Sequence, residues 1–169
     1  MSRSRARAAA GSGLFFAVAP GVVAGAIPYA LTGWEAHDAP LAVRVAGAAL
    51  VAVSVPFLLH AFARFVAEGV GTPAPVAPTE HLVVGGVYRY VRNPMYLAVE
   101  GMILGQAALL GRPVLVAWGA LAGVAMWSFV RGYEESVLAE RFGAAYDRYK
   151  AEVPGWWPRR PRPASANRS

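Results

Sequence analysis

No charged residue stands between Arg7 and Glu35. About 20 apolar residues make a helix that crosses a ~30 Å hydrocarbon core, so this run constrains the chain more than any other feature. The pattern recurs. Leu41 to Phe65 carries formal charge only at Arg44 and Arg64, Met95 to Leu110 only at Glu100, and Val114 to Val130 nowhere. Composition agrees, with 56% apolar and 15% charged residues. The runs predict an all-α integral membrane protein: a four-helix transmembrane bundle with spans at about 14–33, 41–66, 95–110 and 113–130, forming one domain over 1–169.

The net charge of +6 lies largely at the two ends. By the positive-inside rule this places both termini and the Arg-bearing middle loop in the cytoplasm, in a membrane of bacterial inner-membrane type. The acidic turn WEAHDAP (34–40) and the turn Gly111-Arg112-Pro113 then face outward, with Arg112 a mild exception. Charge of this kind suits lipid headgroups, so membrane lipids are expected partners. It does not form the basic face of a soluble nucleic-acid binder, and no nucleic acid is expected. The chain has no cysteine, which removes disulfides, thiolate nucleophiles and sulfur metal sites. No metal site is expected.

Within this frame, Pro20 and Pro28 predict kinks in the first span. Gly21/Gly25, Gly101/Gly105 and Gly119/Gly123 have small-xxx-small spacing, and the last two pairs predict close packing of the third span on the fourth. The ends 1–10 and 159–169 read as loose, and 68–79 as an extended linker rich in Gly and Pro. Arg131 to Lys150 reads as an amphipathic helix with Leu138, Phe142, Tyr146 and Tyr149 on one stripe. Trp156-Trp157 suits a membrane interface.

Chemistry concentrates in one stretch, HLVVGGVYRYVRNPMY (81–96). Gly85-Gly86 allows a close approach to the main chain, which a ligand could use. Asn93-Pro94 disfavours helix at Asn93 and starts one at Pro94. Tyr88, Tyr90 and Tyr96 are either ligand-facing or interface aromatics. Arg92 suits a site or a phosphate headgroup. Glu134-Glu135 is either a ligand-binding pair or a solvated helix start. Glu100 sits inside an apolar helix, where a carboxylate usually faces a cavity or a partner. It can pair with Arg92, approach a substrate, or be a neutral structural acid.

LVVGGVYRYVRNPMY, a helical hairpin and EESVLAERFGAAYDRYKAEVP together resemble the isoprenylcysteine carboxyl methyltransferase and phospholipid methyltransferase family. The resemblance covers about residues 80 to 154. It implies a membrane enzyme that transfers a methyl group from S-adenosyl-L-methionine (SAM) to a lipophilic or prenylated acceptor. The implied cytoplasmic SAM site joins the loop 80–96 to the helix 131–150. Carried over by position, cofactor contacts would be His81, Leu82, Val83, Tyr88, Asn93, Pro94, Met95, Tyr96 and Glu134. Arg131, Glu100 and Arg92 are the candidates for catalysis.

The residue chemistry agrees in kind. Aromatic and aliphatic faces suit adenine, a carboxylate suits a ribose diol or an ammonium, and aromatic faces attract a sulfonium cation. No glycine-rich dinucleotide motif is present. Two departures from the family pattern concern the acceptor. Val130 occupies the slot where prenylcysteine enzymes carry Arg, with Arg131 one residue later, and Glu80 occupies the usual His slot, with His81 next to Leu82. A lipid-like carboxylate is the favoured acceptor, with an amine lipid or a non-catalytic protein of the same fold as alternatives.

Overall fold

The computed structural model describes residues 18–69 and 81–160, and among them the chain is all-helical, with no strand. Helix α1 is Val18–Thr32, α2 is Leu41–Gly69, α3 is Pro94–Leu110, α4 is Pro113–Phe142 and α5 is Ala144–Glu152. A 3-10 turn at Gly86–Arg89 lies between α2 and α3. Of the first predicted span, 14–17 lie outside the described residues, as do 1–10, 161–169 and linker positions 70–79. Glu68 and Gly69 belong to α2 instead of the linker.

Local chemistry sets the helix limits. Pro94 and Pro113 occupy first-turn positions, where a missing N–H costs nothing. Gly33 and Gly111 end α1 and α3 in the left-handed region, at φ 58° and 63°. Two helices, at Leu41–Glu68 and Pro113–Phe142, are long and apolar enough to cross a membrane. Few of their apolar residues are buried: Leu41, Val53, Leu121 and Val124 are all more than 60% exposed. That outward apolar surface distinguishes them from core helices of a water-soluble domain.

Pro28 is accommodated by a π turn at Val22–Ala26, one turn before it. The turn sends the Ile27 N–H to Val22 O, and Pro28 has no N–H to give. The carbonyls of Val23 and Ala24 therefore lose their helical donors. Trp118 Nε1 donates to Val23 O at 2.9 Å and Gln106 Nε2 to Ala24 O at 2.7 Å. These bonds tie α1 to α4 and α3, and a core of Ala24, Val99, Ile103 and Ala122 lies beside them.

The glycine pairs work differently from the sequence reading. Gly101 and Gly105 face α2, not α4: a Cβ on Gly101 would collide with Ser54, and one on Gly105 would lie 2.7 Å from Val51. Gly47 on α2 completes that seam. Gly119 does face α3, where a Cβ would sit 2.9 Å from Glu100 Oε1.

The expected helix 131–150 is not continuous. Val130–Glu134 is a π turn within α4, and Gly143, at φ 48° and ψ −129°, separates α4 from α5. The stripe survives the break. Tyr146, Tyr149 and Val153 form a buried cluster, with Leu82, Leu138 and Phe142 against it. Arg159 is also not loose, since its N–H donates to Tyr90 O at 3.0 Å.

Candidate functional site

The loop 81–93 is held from two sides. On one side Glu68 Oε2 accepts the Gly85 N–H at 2.9 Å and pairs with Arg64. A Cβ on Gly85 would run into both side chains, and one on Gly86 would lie 2.8 Å from Arg64 Nε. The close main-chain approach that Gly85-Gly86 allows is therefore used by α2 side chains and not by a ligand. On the other side the Tyr149 hydroxyl donates to Tyr88 O at 2.8 Å, and a strap at 154–159 runs beside the loop. Arg92 N donates to Pro154 O at 2.9 Å and Asn93 N to Gly155 O at 3.2 Å.

Arg92 is the hub. Its Nε donates to Val153 O at 3.0 Å, and its Nη1 to Glu135 Oε1 at 3.0 Å and to the Tyr146 hydroxyl at 2.9 Å. Lys150 Nζ reaches the other Glu135 oxygen at 2.6 Å. Arg92 and Glu135 side chains are each only 11% exposed, so this ion pair is largely desolvated and is supported by further hydrogen bonds on both partners, as a buried pair must be. Arg92 is thus paired with Glu135, and the alternative pairing with Glu100 does not occur.

Beside this hub lies a cavity of about 390 Å³. Sites for small molecules usually enclose roughly 300–1,000 Å³. Its polar wall is Tyr88, Arg92, Asn93, Tyr96 and Glu134, with Pro94 and Met95 between them. Its apolar wall comes from four helices: Pro20 and Val23 of α1, Phe65 of α2, Val99 of α3, and Met126 and Phe129 of α4. Tyr96 donates its hydroxyl to Glu134 Oε2 at 3.0 Å.

Two polar atoms in this wall have no partner. The Tyr88 hydroxyl and Asn93 Nδ2 are both buried without a hydrogen bond, in residues only 6% and 7% exposed. A buried unsatisfied donor ordinarily costs about 1–3 kcal/mol, and both belong to residues that line the cavity. Burial pushes the Tyr88 hydroxyl well above its ordinary range, which keeps it protonated and able to donate.

Seven of the sequence candidates therefore share one cavity: Tyr88, Arg92, Asn93, Pro94, Met95, Tyr96 and Glu134. The others lie elsewhere. His81 is exposed, Leu82 packs on the Tyr146 cluster, and Val83 packs with Ala61, Tyr88 and Met95. Arg131 is 56% exposed over the Trp127 ring, with Glu135 at 3.7 Å. Glu100 lies in the seam between α3 and α4 against Gly119 and Gly123, and its buried Oε2 has no partner. Sequence reasoning missed the apolar wall, since one Val or Phe in a span looks like any other. It did note the Glu134-Glu135 doublet, but not that the two residues separate.

The phospholipid methyltransferase family matches residues 42–145. The chain is 35% identical over 80 residues to the protein-S-isoprenylcysteine O-methyltransferase of Schizosaccharomyces pombe. That match takes in 46% of this chain and only 33% of the yeast protein. No solved structure matches. The family match runs from the start of α2 through the Arg92 hub to Ala145, well over half of the chain, and the chain belongs to the phospholipid methyltransferase family.

Proposed function

We propose that this chain is an integral-membrane methyltransferase that binds SAM in the cavity beside Arg92 and methylates a lipophilic acceptor. The observation that carries the reading is the polar wall of Tyr88, Arg92, Asn93, Tyr96 and Glu134 set against the apolar remainder of one cavity of small-molecule size. In the same reading α1 to α4 form a four-span bundle in a bacterial inner membrane, with both termini and the cavity end of the bundle in the cytoplasm.

The residues fit the cofactor. Asn93 and Tyr88 would donate to its ring nitrogen, ribose or carboxylate oxygens. Glu134 would accept from its ribose hydroxyls or ammonium, with Tyr96 fixing the orientation of the carboxylate. The faces of Tyr96, Phe65 and Phe129 suit the sulfonium. When bound, the cofactor supplies an electrophilic methyl group on a positive sulfur.

The rest of the chain aligns and dries the site. The Arg92–Glu135 pair holds the loop on α4, and the apolar wall excludes water. A lipid-like carboxylate is the favoured acceptor. It needs no base, it neutralises charge in a medium of low dielectric, and no histidine is among the described residues that line the cavity. An amine lipid is the second reading, favoured by Glu134, a cavity carboxylate able to take the amine proton.

Calorimetry on purified protein tests the cofactor. SAM and S-adenosylhomocysteine should bind saturably, and Glu134→Ala should remove binding. No binding in detergent or in lipid nanodiscs would overturn the proposal. Methyl transfer from labelled SAM to a prenylated cysteine, and separately to phosphatidylethanolamine, then decides between the acceptors.

A further inference from the structure

The strap at 154–159 lies beside the cavity residues without lining the cavity itself. Three features fix its register. The carbonyls of Pro154 and Gly155 accept the N–H groups of Arg92 and Asn93. Gly155 has no side chain where one would crowd the loop: a Cβ would sit 3.2 Å from Arg92 Nη2 and 3.5 Å from Asn93 Nδ2. The Trp156 ring packs on Tyr96 at 6.2 Å between centroids, tilted by 39°. Tyr96 in turn holds Glu134.

The next residue, Trp157, is 83% exposed. The two tryptophans that look alike in sequence therefore have different surroundings. One backs the cavity wall, and the other is exposed.

Resting on the proposed cofactor site, we infer that Trp156 is a positioning residue for SAM. Its ring holds Tyr96 in the orientation that presents Glu134 to the cavity, while the Pro154 and Gly155 carbonyls hold the backbone of Arg92 and Asn93 respectively. The C-terminal strap is thus a working part of the cofactor site. Without the indole, Tyr96 gains rotational freedom, and the carboxylate is no longer held in one orientation.

The test is SAM affinity by calorimetry on the full chain in detergent, for wild type, Trp156→Ala, Trp156→Phe and Trp157→Ala, each with a thermal midpoint. Trp156→Ala should weaken SAM about ten-fold, a loss on the scale of one oriented aromatic contact. Trp156→Phe should restore most of the affinity, and Trp157→Ala should change nothing. An activity assay should show a raised KM for SAM and an unchanged KM for the acceptor. Wild-type binding with unchanged affinity in Trp156→Ala overturns the inference alone. So does a loss matched by Trp157→Ala, or one that Phe fails to restore. No binding by wild type overturns the cofactor site and this inference together. Should Trp156→Ala not fold, Gly155→Ala reports on the same strap: its methyl displaces the strap from Asn93, and unchanged SAM affinity there also overturns the inference.

Discussion

Glu134 and Glu135 are neighbours in sequence with opposite duties: Glu134 accepts the Tyr96 hydroxyl on the cavity wall, and Glu135 accepts Arg92 and Lys150 in the hub behind it. One residue turns a helix by about 100°, enough to send adjacent carboxylates to different surroundings. Substitution should separate the two roles. Glu135→Ala leaves Arg92 buried without its partner and should lower stability by about 3–5 kcal/mol. Glu134→Ala should leave the thermal midpoint nearly unchanged and weaken SAM well over ten-fold. Thermal unfolding and calorimetry on both variants check this, and equal effects of the two substitutions would contradict it.

Tyr88 and Asn93 give a prediction of unusual sign. Each carries a buried polar atom with no partner. Tyr88→Phe should therefore leave the ligand-free protein as stable as wild type, or more stable by about 1 kcal/mol. The same change should weaken SAM several-fold, because the hydroxyl is then missed. A fall in ligand-free stability with unchanged SAM affinity would show that the hydroxyl serves the fold.

Gly85 illustrates a close approach whose partner the sequence did not reveal. Its missing Cβ makes room for Arg64 and Glu68 of α2. Gly85→Ala should displace that ion pair and cost about 1–3 kcal/mol through overpacking. Cofactor affinity should follow only as far as the loop moves. Comparison with Glu68→Gln, which weakens the same contact without added bulk, separates crowding from the lost hydrogen bond.

Some helix limits were legible because proline and glycine punctuate them: Pro94 and Gly111 stand where α3 starts and stops, and Pro113 where α4 starts. Much of the candidate site was legible too, since Tyr88, Asn93, Tyr96 and Glu134 are polar residues in apolar surroundings. What remained hidden depends on rotation about a helix axis and on partners distant in sequence. Gly101 and Gly105 announce a close contact but not that α2 makes it. Pro28 announces a disturbed helix but not that Gln106 and Trp118 satisfy the freed carbonyls. The Gly143 break could not be inferred from a stripe that continues across it, because the stripe is set by packing on Leu82 and not by one unbroken helix.

Arg131 and Glu100 show the same limit from the side of function. Both have the chemistry of a catalytic group, and neither lines the cavity. Arg131 is more than half exposed in the π turn of α4, and an exposed cation 3.7 Å from a carboxylate already held by two other cations adds little. Glu100 occupies the seam with Gly119 and Gly123, reached from α4 and not from the cavity. Arg131→Ala and Glu100→Gln should each leave turnover within about two-fold of wild type, the scatter normal for changes outside a site. Glu100→Gln keeps the volume that Gly119 and Gly123 accommodate, so it should also fold normally. Single-turnover methyl transfer at saturating SAM measures both. A hundred-fold fall for Arg131→Ala would place a carboxylate acceptor beside Trp127, and a similar fall for Glu100→Gln would make the α3–α4 seam part of the reaction path.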